Sequence, residues 1–141
     1  MTAKEYFKQA YLLDQRIDCD LKEVASLRGM AEAITSMRQN DPVQTSRKRE
    51  ASFVHTLEKV IDMEERIKRE IDTLISLKNE IRAVINTVED ETERTVLQYR
   101  YINNYKWQRI GRELNADSRT VRRWHESALR HVVLPKNHVI L

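Results

Sequence analysis

The stretch that decides the reading is WQRIGRELNADSRTVRRWHESALRHV, Trp107 to Val132. Trp107, Ile110 and Leu114 recur at helical spacing on one face, and Val121, Trp124, Ala128 and Leu129 on the face of a following helix. Between them lies NADS, residues 115–118. Asn tolerates the left-handed conformation that closes a helix, which suits Asn115. Asp117 or Ser118 is placed to accept the first free N–H groups of the next helix. Gly111 is expected where the two helices cross closely. A short helix, a three- to four-residue turn and a second helix make a helix-turn-helix. With the apolar residues turned inward, Arg119, Thr120, Arg122 and Arg123 face outward near the start of the second helix. That is the end of a recognition helix that enters a major groove. A guanidinium matches both phosphate and the O6/N7 edge of guanine. Trp107 and Trp124 are read as core rather than as base-stacking rings.

Upstream, Asp90 followed three residues later by Glu93 fits a capping box that starts a helix. That helix carries Val96, Leu97, Tyr99 or Arg100, and Tyr101, and INNYK reads as a turn. A further helix is expected over Lys106–Leu114, and the last from Ser118 to about Val133, stopped by Pro135. The final KNHVIL is read as a tail without an assigned role. Five of the nine aromatic residues fall in 99–124, as suits a small core that depends on large rings.

Further out, two long periodic segments precede this module. Residues 3–38 carry Tyr6, Ala10, Leu13, Ile17, Leu21, Val24, Ala31 and Ile34, with Gly29 a candidate kink. Residues 52–88 carry Phe53, Leu57, Val60, Ile67, Ile71, Leu74, Ile81, Ile85 and Val88. Strict spacing also puts Glu64 and Lys78 on that seam, with Met63 and Leu77 widening it. The polar segment 38–50 contains Pro42 and reads as a loop, with Arg47, Lys48 and Arg49 solvated in it. Two helices of roughly 54 Å joined by a short loop give an antiparallel hairpin. A hairpin does not cover a wide stripe on both members, so a homodimer built on a helical bundle is expected.

The charge distribution divides the chain. Residues 1–88 hold 15 basic and 15 acidic side chains, whereas 94–130 hold nine basic and three acidic. A basic surplus on one short segment points to an anionic partner, with double-stranded DNA first. A single cysteine, Cys19, excludes an intrachain disulfide and suits a reducing compartment. The polar start has no signal-peptide pattern, and no apolar run reaches bilayer length, so a cytoplasmic protein with no membrane partner is expected. His55, His125, His131 and His138 show no metal-ligand spacing. Glu64–Glu65 and Asp18–Asp20 read as solvated faces. No phosphate loop or nucleophile elbow occurs. No metal, no cofactor and no enzymatic activity are expected.

The motif LQYRYINNYKWQRIGRELNADSRTVRRWHESALRHV, within residues 94–132, resembles region 4 of sigma-70-type factors. The carrying pattern is W-x-x-I-G-x-x-L, a polar turn, then S-x-x-V-x-x-W-x-x-x-A-L. The whole chain, from MTAKEYFKQAYLLDQRID through the hairpin, looks like the ArpU/RinA-like late transcription regulators of Gram-positive phages. That resemblance implies promoter DNA binding and activation of late phage or mobile-element genes, with host RNA polymerase a candidate partner. Its recognition positions map onto Ser118, Arg119, Thr120, Arg122 and Arg123. Asn115 stands where the family's turn more usually has Gly. No segment matches the sigma region that binds the −10 element, which implies an auxiliary activator.

The expected architecture is therefore all-α: a helical hairpin over 1–88 for dimerisation, then a three-helix helix-turn-helix domain over 89–141. The expected function is a DNA-binding transcriptional regulator. The alternative is the DNA-recognition subunit of a phage packaging machine, resembling small terminase subunits. Those place the DNA module first, whereas here it comes last.

Overall fold

Helix α1 runs over Ala3–Asn40 and α2 over Ser46–Asn86. They are followed by α3 (Glu91–Leu97), a π-helical turn (Gln98–Ile102), α4 (Trp107–Leu114) and α5 (Ser118–His131). A computed structural model describes residues 1–40 and 46–141, and no strand occurs among them. The fold is all-α, as the periodicity requires. Pro42 and the centre of the expected loop lie outside the described residues. Arg47, Lys48 and Arg49 do not lie in a loop: they sit in the first turns of α2. No Gly or Pro separates Ser46 from the periodic run, so the helix extends back over this good helix-forming stretch. At the other end α5 stops at His131, with Val132 already extended, four residues before Pro135.

The chain divides into two compact units: Gln15–Asp72, and Met1–Asp14 together with Thr73–Leu141. These boundaries differ from the expected division at residue 88. In the first unit the seam follows a seven-residue repeat. On α1, Ile17, Asp20, Val24 and Ala31 are buried, with Leu27 and Ile34 half-buried between and beyond them. On α2, Thr56, Val60 and Ile67 are buried, with Phe53, Met63 and Glu70 half-buried. Steps of three and four alternate without a break, the spacing of a coiled-coil seam. Leu21, Leu57 and Ile71, expected in the core, are exposed, and Glu64 is exposed too. Each lies one position past the true seam residue. An unbroken heptad overrode apolarity, so Thr56, Glu70 and Asp20 face inward instead.

Those polar seam residues are accommodated unequally. The Thr56 hydroxyl donates to the Ser52 carbonyl at 2.8 Å, a bond made within its own helix. Asp20 Oδ1 accepts from Arg66 Nη2 at 3.3 Å, and Glu70 Oε1 lies 3.9 Å from Arg66 Nε. The second oxygen of each carboxylate is buried without a hydrogen-bond partner. Burial, then the neighbouring Asp20 carboxyl, pushes the Glu70 carboxyl above its ordinary range.

In the second unit, Tyr6, Phe7, Ala10 and Leu13 of α1 are buried, as are Leu77, Ile81, Val84, Ile85 and Val88 in and just after α2. Phe7 stacks on Tyr101 with ring centroids 4.8 Å apart. This aromatic contact is one reason the N-terminal turns of α1 belong with the C-terminal helices. The tail is another. The Gln9 side chain donates to the Val139 carbonyl at 2.9 Å and accepts from the Leu141 N–H at 2.7 Å. Glu80 Oε2 accepts from the Tyr6 hydroxyl at 2.7 Å and from the Val139 N–H at 3.1 Å.

Candidate nucleic-acid interface

The three short helices are set by local chemistry. Asp90 caps α3, accepting from the Glu93 N–H at 2.9 Å. Glu93 does not complete the expected capping box. Its buried carboxylate reaches α5 instead, accepting from Ser127 Oγ at 2.7 Å and lying 2.7 Å from His131 Nδ1. The chain after α3 widens into the π-helical turn, where the Asn103 N–H donates to the Gln98 carbonyl at 3.1 Å. Asn104 then takes a left-handed conformation, φ 56°, and the chain turns into α4.

The turn between α4 and α5 follows its sequence closely. Asn115 is left-handed at φ 53°, ψ 45°. Its neighbour Ala116 donates its N–H to the Gly111 carbonyl at 2.9 Å. Asp117, not Ser118, caps α5, accepting from the Thr120 N–H at 2.7 Å. Interaction with the Thr120 side chain and then its backbone, helped by Arg119 and Arg123, holds the Asp117 carboxyl below its usual range. Gly111 is required for a different reason from the one expected. A Cβ there would meet the Ala116 carbonyl oxygen at 2.5 Å, so the turn backbone excludes it rather than a helix crossing.

Beneath the turn, Val96, Ile110 and Val121 are fully buried, and Tyr99, Tyr105, Trp107, Leu114, Ala116 and Trp124 pack around them. Ala128 is buried and Leu129 half-buried, as their spacing predicts. His125, which the spacing did not single out, is 3% exposed. Its Nε2 lies 2.6 Å from the Tyr101 hydroxyl, and Trp107 meets its ring edge-on at 4.8 Å. Burial lowers the His125 pKa to about 4 and raises that of Tyr101 to about 12. The pair is therefore neutral near pH 7. Nδ1 is the ring nitrogen nearer Glu126, at 3.9 Å. A proton there leaves Nε2 to accept from the tyrosine.

This packing fixes the outer surface of α5. Arg119, Arg122 and Arg123 are exposed, and Ser118 and Thr120 are half-buried beside them. The three arginines make no hydrogen bond or ion pair among the described residues. Not every base in the region is so placed. Arg94 donates to the Val88 and Glu89 carbonyls, and Arg100 lies over the Trp107 ring at 4.1 Å. Arg109 lies over the Tyr105 ring at 3.9 Å. Part of the basic surplus is thus structural, and the outward part concentrates on α5 and on Arg112. Arg112 was not singled out in the sequence, although it lies on the α4 face opposite Ile110 and Leu114. It is exposed and borders the surface groove with Gln108, Asn115 and Ser118. Among the described residues there is no cluster suited to a metal ion, and no helix is long and apolar enough to cross a membrane.

Residues 33–132 match DUF1492, described as a protein family of unknown function. The chain belongs to that family. No curated protein and no solved structure matches it. The match covers the last turns of α1, the whole of α2 and all of the short helices, ending just past the close of α5.

Proposed function

We propose that this DUF1492 protein is a sequence-specific double-stranded DNA-binding regulator of transcription that acts as a homodimer. The observation that carries the reading is the outward set Arg119, Arg122 and Arg123, exposed on the first turns of a helix whose other side is locked by Val121, His125 and Ala128. Ser118, Thr120 and Arg112 border that set. A rigid helix presenting guanidinium groups near its N-terminus suits a major groove, where arginine reads guanine and grips phosphate. The resemblance to ArpU/RinA-like regulators and to sigma-70 region 4 supports late-gene activation as the biological role.

Alanine at each arginine, with binding measured to a cognate promoter fragment and to random duplex over a salt series, tests the reading. Each lost phosphate contact should flatten the slope of log K against log salt by about 0.9 and weaken all sequences alike. A lost base contact should cost about 1–3 kcal/mol on the cognate site only. Arg119 and Arg122 are assigned to base edges and Arg123 to phosphate. Unchanged affinity for both duplexes in the triple variant overturns the proposal.

A further inference from the structure

Beside its seam, α2 carries a second stripe, one position after each seam residue: Val54, Leu57, Ile61, Glu64, Lys68 and Ile71. The four apolar members are 51, 37, 55 and 38% exposed in that order. The flank one position before the seam reads Ser52, His55, Lys59, Asp62, Arg66 and Arg69, with no apolar member. In an antiparallel helix pair, positions following the seam fall on the same side of both helices. The Arg28–Glu64 ion pair shows this, since Arg28 follows Leu27 and Glu64 follows Met63. Leu21, which follows Asp20, is 49% exposed and adds to that side. Single exposed apolar residues are ordinary, but four on one flank of α2 with none on the other mark a surface that is covered.

The stripe is complementary to itself. Positions 61, 64, 68 and 71 are spaced identically read forwards or backwards. Antiparallel alignment about a two-fold axis at Arg66 sets Ile61 against Ile71 of the partner subunit. It sets Glu64 against Lys68 of the partner subunit. Parallel alignment would instead set Glu64 against its own copy and Lys68 against its own copy, which repel. We propose that this stripe is the homodimer interface, with two copies of α2 packed antiparallel about residue 66. The proposal rests on the homodimer reading above but not on DNA binding.

The test uses the full chain, with association measured by sedimentation equilibrium and helix content by circular dichroism. Ile61→Lys should weaken the dimer by about a hundredfold or more, because it buries a charge against an apolar partner. Ile61 is exposed in the single chain, so its helix content should be unchanged. Glu64→Lys and Lys68→Glu should each weaken the dimer by about tenfold, since two attractive pairs become repulsive. The double swap Glu64→Lys/Lys68→Glu should bind well above Glu64→Lys, which shares its loss of the Arg28 pair, and parallel pairing does not predict that recovery. A dimer indifferent to Ile61→Lys overturns the interface and leaves the homodimer reading standing, as does a failure of the double swap to rescue. A wild-type chain that stays monomeric at micromolar concentration overturns both.

Discussion

The unit Gln15–Asp72 and the unit built from Met1–Asp14 with Thr73–Leu141 both bury titratable groups, Glu70 and His125, whose contributions to stability change with acid in opposite directions. In the first, Glu70 sits in the coiled-coil seam close to Asp20, and one oxygen of each is without a partner. Its carboxyl is raised, so the folded form binds its proton more readily than the unfolded chain does. That contribution is present at low pH and is lost as pH rises through the folded value. In the second unit, His125 lies among rings and its pKa is lowered to about 4. The folded form resists the proton, so stability is present above the unfolded value of about 6.5 and is lost as pH falls toward 4. The comparison separates two uses of a buried polar group. His125 is satisfied by Tyr101 and serves a neutral core, whereas the seam carboxylates are only half satisfied and oppose their own burial.

The largest effect should come from the histidine. Between pH 7 and pH 4.5, protonation should cost the second unit on the order of 2–3 kcal/mol. Both tryptophans lie in that unit, so urea melts followed by tryptophan fluorescence report on it. His125→Phe should flatten the pH dependence over this window, whatever its effect at pH 7. A variant that retains the full acid loss would show that another group carries it.

The next effect concerns the seam. Replacing a buried, poorly satisfied charged set by apolar residues is often stabilising by about 1–4 kcal/mol. Asp20→Leu/Glu70→Leu should therefore raise stability at pH 7, with a gain of roughly 2 kcal/mol expected because Arg66 is half exposed and returns to water. It should also abolish the strengthening of this unit in acid. Helix content during urea unfolding measures both, and a double variant less stable than wild type at pH 7 removes the contrast.

The same two regions differ in how far their sequence could be read. The turn at 115–118 was legible because left-handed closure and N-capping are properties of single residues, and Asn115 and Asp117 carry them. The basic surface of α5 was legible because Val121 and Ala128 fix which way the helix faces. In the long helices, existence and type were plain, but the seam was not. Leu57 and Ile71 are more apolar than Thr56 and Glu70, and one helix read alone offers no means to choose between adjacent stripes. The partner helix decides that. His125 was hidden for a similar reason, since its burial depends on Tyr101 and Trp107. Glu93 was placed in a capping box because its partners Ser127 and His131 lie more than thirty residues away. The tail was unreadable because its partner Gln9 lies at the other end of the chain.

The smallest effect tests the most local of these readings. Asn115 adopts φ 53°, a conformation in which a Cβ crowds the backbone and which only Gly enters freely. Asn enters it at modest cost, so Asn115→Gly should be neutral or slightly stabilising in thermal melts. A β-branched side chain meets the full steric penalty, and Asn115→Val should lose on the order of 1–2 kcal/mol. The residue sits in the same turn as Gly111, whose carbonyl accepts from Ala116 and whose missing Cβ leaves room for the Ala116 carbonyl. The Asn115→Val variant therefore cannot relax by moving the turn toward α4, because that path is already closed. Equal melting temperatures for the Gly and Val variants would mean that the turn has another conformation open to it. The outward placement of Arg119, Arg122 and Arg123, which depends on where α5 begins, would then lose its support.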